Sequence, residues 1–263
     1  MPTKLTALTQ ATILGAADLL YAVVGGNSRA IPALGMAGRN RIINGTGRIN
    51  QRAYVSGTAT TGANQYTLDR WRVVTSGQSL TFTGNDAGRT MTAPAGGCEQ
   101  VIEGANIEGG TYVINWSGTA TCTVDGVSRA KGASFTLTAN TNATVRFSSG
   151  TFTEVQLEAG TLATPYERVQ IGEELARCQR YYSVSIFNLR FSAAGASQIG
   201  EGYAYWPVQM RAAPVVNLDT TGTFNATPTV PSPTIYGVRV NLTSAGAGDT
   251  RLLGAPITAN AEL

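Results

Sequence analysis

Short segments of alternating apolar and polar residues, each followed by a turn signal, fill the middle of the chain. Tyr112, Ile114 and Trp116, for example, fall on one face of a strand because strand side chains alternate. Turn signals such as Asp125-Gly126 separate the segments, and 31 Gly and 10 Pro are spread along the chain. Strands at spacings of about 8 to 12 residues predict a mainly β chain with a jelly-roll-like β-sandwich over residues 39–170.

One segment, Ile171–Tyr182, has the pattern of a helix. Glu173 and Glu174 fall in its first turn and Arg177 near its end, where these charges complement the helix dipole. Short β segments follow it, interrupted by prolines that restrict where central strands lie. The sequence therefore predicts a smaller C-terminal domain, one helix plus strands, over residues 171–263.

Residues 1–38 differ in pattern from the rest of the chain. Leu5–Leu8 predicts one short helical turn, a hairpin follows around Gly25-Gly26-Asn27, and Pro32–Gly38 has the composition of a flexible connector. A segment this small cannot bury its apolar side alone. We therefore expect an N-terminal arm that docks on another chain, with an arm packed on its own domain as the alternative.

Histidine is absent from the sequence, which excludes His-based catalytic triads and His-ligated zinc sites. The three cysteines, Cys98, Cys122 and Cys178, form no CxxC pair, so we expect buried thiols rather than a redox or metal site. No stretch approaches the roughly 18 apolar residues of a membrane span, and the N-terminus lacks the pattern of a secretory signal. We expect synthesis in a cytosol and no membrane insertion.

The chain carries a formal net charge of +3, and only 13% of its residues are charged. Its Lys and Arg residues are scattered, whereas a nucleic-acid-binding face needs a denser basic stripe with aromatics for stacking. Nucleic acid is therefore not an expected partner. The low charge leaves surfaces built from Thr, Ser, Asn, Gln and Gly, which suits an extended β protein.

Glu99, Glu103 and Glu108 lie together in a Gly-rich stretch and raise the question of a glycosidase, which needs two carboxyl groups held across a cleft. Their spacing fixes no common geometry, and a solvated loop explains them equally well.

Asn85-Asp86 and Asp125-Gly126 offer oxygen ligands of the kind that calcium prefers, yet such pairs are ordinary turn residues. The sequence predicts no catalytic residue, no metal site and no cofactor.

Several segments of the sequence are distinctive: Asn40–Gly45, Asn50–Arg52, Tyr66–Trp71, Val155–Glu167, Glu174–Tyr182, Ala17–Tyr21 and Ala261–Leu263. Together they resemble β-sandwich domains of bacteriophage tail-fibre and related virion proteins, and Val155–Glu167 followed by Glu174–Tyr182 is the more specific match. The resemblance implies a carbohydrate-binding-like jelly roll in the middle of the chain. It also implies a homotrimer whose N-terminal arm joins other virion proteins.

Aromatic side chains are the best candidates for a binding role, because the C–H faces of sugars stack on Trp and Tyr. Tyr203, Tyr205, Trp206 and Trp116 are the candidate glycan-binding residues, and Tyr203 and Tyr205 share one face of any strand there. A Trp in a β-sandwich is more often a core residue, and we expect this of Trp71.

The leading interpretation is a tail fibre or spike subunit without enzymatic activity that attaches a phage to glycans of the bacterial cell surface. The alternative is a head fibre or decoration protein on the capsid surface. A third hypothesis, from another class, is a polysaccharide-active enzyme. The first two place the chain on the virion after synthesis in the host cytoplasm.

Overall fold

The structure is a computed structural model that describes residues 19–24, 27–32 and 38–263. The chain divides into two compact units, Met1–Arg39 and Asn40–Leu263, and each is described by itself. The second unit contains two hydrophobic cores, one from the middle of the chain and one from its C-terminal part. The domain boundaries expected from the sequence stay a prediction.

The first unit contains an antiparallel hairpin. Its strands are β1 (Leu19–Val24) and β2 (Asn27–Pro32), and their register pairs Val24 with Asn27. The predicted hairpin is therefore confirmed, whereas the helical turn predicted at residues 5–8 lies outside the described residues. Docking of this arm on another chain stays a prediction.

The first core of the second unit lies inside an antiparallel sandwich of two sheets. Its strands are β3 Gln65–Tyr66, β4 Arg72–Val73, β5 Thr81–Asn85, β6 Gly88–Ala93, β7 Cys98–Ile102, β8 Gly110–Ser117, β9 Thr121–Val124, β10 Val127–Arg129, β11 Ser134–Leu137, β12 Ala143–Ser148 and β13 Gly150–Ala159, with a 3-10 turn at Gly104–Asn106. One sheet has the order β10-β9-β12-β7-β4-β3, and the other has the order β11-β8-β13-β6-β5. The prediction of a mainly β chain built around a β-sandwich is confirmed.

Aromatic side chains fill the space between these two sheets. Phe147 of β12 and Phe152 of β13 stack with ring centroids 4.5 Å apart, and Trp71 meets Phe152 edge-on at 5.1 Å. All three are fully buried, which confirms the prediction that Trp71 is a core residue. Large aromatics bury the most area per residue, so this cluster contributes strongly to holding the two sheets together.

Tyr66–Val74 has the residue types of a single strand with mixed faces, but it forms a tight hairpin. Only the two-residue strands β3 and β4 form near its ends, and they pair with each other. Between them Arg70 has a φ of 70°, and the amide of Thr67 donates to the carbonyl of Trp71 at 2.9 Å. The turn contains neither Gly nor Pro, so the sequence carries none of the strongest turn signals.

The segment that follows β13 folds back over the outer face of its sheet. Val155 and Leu157 face the core, so Gln156 and Glu158 point away from it. Gln156 donates to the hydroxyl of Thr164 at 2.9 Å, and Glu158 accepts from the amide and the hydroxyl of Thr164 at 2.7 Å each. These buried polar side chains fasten the returning segment, which gives this distinctive part of the sequence a structural role.

The second core is built from the C-terminal part of the chain. Its elements are α1 Ile171–Gln179, β14 Tyr182–Ala193, β15 Ile199–Tyr205, β16 Val215–Leu218, β17 Thr223–Phe224, β18 Ala226–Thr229, β19 Gly237–Ser244 and β20 Gly248–Asn260. Sheet β14-β20-β16, with β17 also on β20, and sheet β15-β19-β18 enclose it. The predicted helix is confirmed but ends at Gln179, because Tyr182 already pairs with Asn260 in the sheet.

A buried network of charges joins the two cores. Glu262, beyond β20, pairs with Arg70 and, at 3.0 Å, with Arg52 of the sandwich. The side chains of Arg70 and Glu262 are only 1% and 4% exposed, and the Arg70 guanidinium stacks on the Tyr181 ring at 3.6 Å. Removing one member of such a pair leaves an uncompensated charge in the interior, so the two cores depend on each other here.

Hydrogen bonds to the backbone strengthen the same junction. The carbonyl oxygen of Leu263 accepts from the hydroxyl of Tyr66 at 2.9 Å and from Arg72 at 2.6 Å. The side chain of Gln51 donates to the carbonyl of Tyr182 at 2.8 Å. Together with the ion pairs, these bonds fix the surface that lies between the two cores.

Candidate functional site

The outer face of sheet β15-β19-β18 carries exposed tyrosines. Strand alternation places Ala204 in the second core and turns Tyr203 and Tyr205 away from it. Tyr203 is 58% exposed and Tyr205 is 72% exposed. Their ring centroids lie 6.3 Å apart, with the ring planes inclined by only 19°. We name these two side chains the tyrosine ridge.

The neighbouring strand β19 shapes the surroundings of the tyrosine ridge. Tyr205 pairs with Gly237, and Tyr203 pairs with Arg239. Gly237 allows the two strands to approach closely, because a Cβ at this position would lie 2.5 Å from the carbonyl oxygen of Ala204. The preceding residue, Tyr236, is 62% exposed and adds a third tyrosine beside the ridge.

Two shallow depressions flank the tyrosine ridge. One, of about 360 Å³, is lined by the ridge together with Tyr236, Ser232 and Arg239. The other, of about 390 Å³, lies between β14 and β15 and is lined by the ridge together with Ser185 and Asn188. The ridge belongs to both depressions, so a ligand longer than one sugar ring can cross it and contact each side.

The polar groups at this surface suit an uncharged ligand with hydroxyl groups. Arg239 pairs with Glu201 at 3.2 Å, so the two formal charges next to the ridge balance each other. Across the described part of the chain, no residue accepts a hydrogen bond from the hydroxyl of Tyr203, Tyr205 or Tyr236. Aromatic faces for stacking beside directional hydrogen-bonding groups are the arrangement that binds sugars.

Trp116 and Trp206, predicted as glycan-binding residues with the tyrosines, are buried, and that prediction is corrected. Each is only 6% exposed. Trp206 packs in the second core and donates from Nε1 to the carbonyl of Thr234 at 3.0 Å. Trp116 packs in the first core, edge-on against Phe147 at 5.4 Å. The large apolar area of an indole favours burial, so neither ring presents a face to a ligand.

Of the four predicted residues, the structure therefore brings only Tyr203 and Tyr205 together at the surface. Sequence reasoning missed Tyr236, although Tyr236-Gly237 at the start of a β segment is a readable signal. What the sequence does not show is that β19 pairs with β15, and that pairing is what places Tyr236 beside the ridge.

Glu99 has a structural role in the sandwich. It lies on β7, between β4 and β12, and is almost completely buried. Its carboxylate accepts from Arg72 of β4 and from Arg146 of β12, each at 2.6 Å. One glutamate thus ties three neighbouring strands together.

Glu103 and Glu108, the other two glutamates weighed as catalytic candidates, are held by different partners. Glu103 accepts from the hydroxyl of Tyr181 at 3.0 Å at the junction of the two cores. Glu108 accepts from the hydroxyl of Tyr112 at 2.6 Å and pairs with Arg41 at 2.5 Å. The hydrogen bond from Tyr112 lowers the pKa of Glu108, opposite to the raised pKa of a glycosidase general acid. These contacts give both residues a structural role.

The acidic turn residues weighed as calcium ligands also have local partners. Asp86 pairs with Arg89 at 2.5 Å, and Asp125 accepts from the amide of Thr144 at 2.7 Å. In the ranges that the structure describes, no three His, Cys, Asp or Glu side chains gather as a metal site would require. The expectation of buried thiols is confirmed for all three cysteines, and burial raises the pKa of Cys122 to about 12.

Among the described residues, no helix has the length and apolar character that crossing a membrane requires. No protein-family model, no curated protein and no solved structure matches this chain. The resemblance to tail-fibre and related virion proteins therefore stays a prediction from the sequence.

Proposed function

We propose that this chain is a non-enzymatic structural protein of a bacteriophage virion, a tail fibre or spike subunit that attaches the particle to glycans of the host cell surface. The observation that carries the binding role is the tyrosine ridge: two exposed, nearly parallel tyrosine rings between two depressions. The assignment to a virion rests on the resemblance of the distinctive sequence segments to tail-fibre and related virion proteins.

Binding at the tyrosine ridge combines stacking with hydrogen bonds. The C–H faces of a sugar lie against the rings of Tyr203 and Tyr205, and its hydroxyl groups meet polar groups such as Ser232 and Asn188 in the depressions. Because both depressions are shallow, each contact is weak. Three copies in a homotrimer, and several trimers on a particle, raise the avidity by roughly 10² or more without any new contact.

The N-terminal arm attaches the chain to other proteins of the virion. Residues 1–39 form a compact unit of their own, and we assign the attachment to other virion proteins to this unit. The same arrangement on a capsid makes the chain a head fibre or decoration protein, which is the alternative. Electron microscopy of particles labelled with an antibody to this chain separates the two locations.

The experiment that tests the binding role is adsorption of the purified, fluorescently labelled chain to host bacteria. Tyr203→Ala and Tyr205→Ala each remove one ring from the surface, and we expect each to reduce cell binding at least tenfold. The matched control is Phe224→Ala, because Phe224 is also an exposed aromatic (53%) but lies on the other sheet of the same core. Wild-type levels of binding by both tyrosine variants, with folding intact, would remove the ridge from the proposal.

A further inference from the structure

A second cleft lies at the junction of the two cores, on residues that the tyrosine ridge does not use. It has a volume of about 470 Å³, which falls in the range of small-molecule sites. Tyr54 and Tyr66 of the sandwich and Tyr182 of β14 line it, together with Arg52. The Arg52 guanidinium stacks on Tyr182 at 3.6 Å and lies 5.2 Å from the centre of the Tyr66 ring. We name this the junction cleft.

The positive charge in the junction cleft is already compensated. Arg52 pairs with Glu262 at 3.0 Å and lies 3.8 Å from the carboxylate of Asp69. An anionic ligand would find no unpaired cation there and would have to compete with these two carboxylates. A neutral ligand avoids that cost, so the charge arrangement selects for uncharged molecules.

Side-chain amides at the rim supply hydrogen-bonding groups. Gln65 accepts through Oε1 from the amide of Thr61 at 2.7 Å, and Asn260 accepts through Oδ1 from the amide of Glu262 at 3.1 Å. In both residues the side-chain oxygen is held by this hydrogen bond, and the side-chain NH₂ group stays available to donate to a ligand. Asn64, which also lines the cleft, is exposed and has a φ of 55°.

We propose that the junction cleft is a second glycan-binding site, which takes a neutral saccharide unit. The apolar face of the sugar lies against the tyrosine side chains, and its hydroxyl groups accept from the amides of Asn64, Gln65 and Asn260. The inference extends the proposed glycan binding to a site that contains no residue of the tyrosine ridge. The cleft takes walls from both cores, so the buried pair between Arg70 and Glu262 keeps it preformed.

The test is a titration of the ¹⁵N-labelled full chain, followed by the side-chain NH₂ signals of Asn64, Gln65 and Asn260. The probes are lactose, maltose and mannobiose, with methyl glucuronide as an acidic sugar, up to about 10 mM because single sugar sites are weak. We expect at least one neutral disaccharide to shift these signals, and methyl glucuronide to leave them unchanged.

Two variants then assign the shifts to the junction cleft. Tyr182→Ala removes a wall, and Asn64→Gly removes an amide while keeping a backbone that glycine adopts readily. Each should weaken the response about tenfold, whereas Tyr203→Ala on the ridge should leave it unchanged. The proposal is overturned if no neutral disaccharide shifts the signals, if the acidic sugar shifts them equally, or if Asn64→Gly responds like the wild type. Failure of the ridge alone appears instead as cell adsorption that Tyr203→Ala leaves at the wild-type level, while the neutral sugars still shift the signals of the junction cleft.

Discussion

The substitution Glu262→Gln tests whether the two cores of the second unit depend on each other. It keeps the size of the side chain but removes the charge that faces Arg70 and Arg52. Arg70 is 1% exposed, so its guanidinium would stay in the interior without a full counter-charge. Breaking a buried ion pair in this way costs about 3–5 kcal/mol.

The expected result is large enough for standard unfolding assays. For a unit of this size, each kcal/mol lowers the melting temperature by about 2–4 °C, so we expect a decrease of roughly 6–20 °C. Circular dichroism during heating, and urea titration at fixed temperature, measure the change. The control is Glu201→Gln, because Glu201 and Arg239 form an ion pair that is 45% and 43% exposed. Exposed pairs contribute about 1 kcal/mol or less.

Two results would refute this reasoning. One is a loss of less than about 1 kcal/mol for Glu262→Gln, which would mean that the junction tolerates an unpaired Arg70. The other is an equal loss in Glu262→Gln and Glu201→Gln, because burial would then not distinguish the two pairs.

The remaining predictions concern pH, the N-terminal arm and assembly. Burial raises the pKa of Asp69 to about 6 in the folded chain, above its ordinary value of 3.8, so its contribution to stability is present below about pH 4 and is lost as the pH rises through 6. The free energy of unfolding of the wild type should therefore decrease by about 3 kcal/mol between pH 4 and 7, and Asp69→Asn should remove this decrease. Urea titrations that give the same pH dependence of the unfolding free energy for variant and wild type would contradict this. Deletion of residues 1–38 should leave the melting temperature of the rest unchanged but abolish incorporation into particles, and unfolding of the shortened chain would show that the arm belongs to the sandwich. Analytical ultracentrifugation of the full chain should detect a trimer, and monomer alone at micromolar concentration would count against it.

The fold class was predictable because strand alternation and turn signals are local properties of the sequence. Tyr112, Ile114 and Trp116 alternate into the core as expected. The hairpin at Tyr66–Val74 was not predictable, because its turn has an Arg at positive φ and no Gly or Pro. The side chain of Arg70 pairs with Glu262, which is far away in sequence, so no local pattern indicates this contact.

The candidate site was predictable only in part. Tyr203 and Tyr205 lie on one face of any strand, so their shared exposure follows from the strand period. Trp206 directly follows Tyr205, so the same alternation places its indole on the face of Ala204, which packs in the second core. Tyr236 and the junction cleft depend on pairing between distant segments, which is a property of the assembled fold.

Binding of the full chain to an array of bacterial surface polysaccharides tests the central claim most directly. The wild type, the Tyr203→Ala/Tyr205→Ala double variant and Phe224→Ala are compared on the same array after their folding is checked. The account predicts that the wild type and Phe224→Ala bind the same neutral glycans and that the double variant loses at least tenfold in signal. The account would be contradicted if none of the three proteins, including the wild type, bound any glycan. Equal binding by all three would also contradict it, because the tyrosine ridge would then not attach this chain to a cell surface.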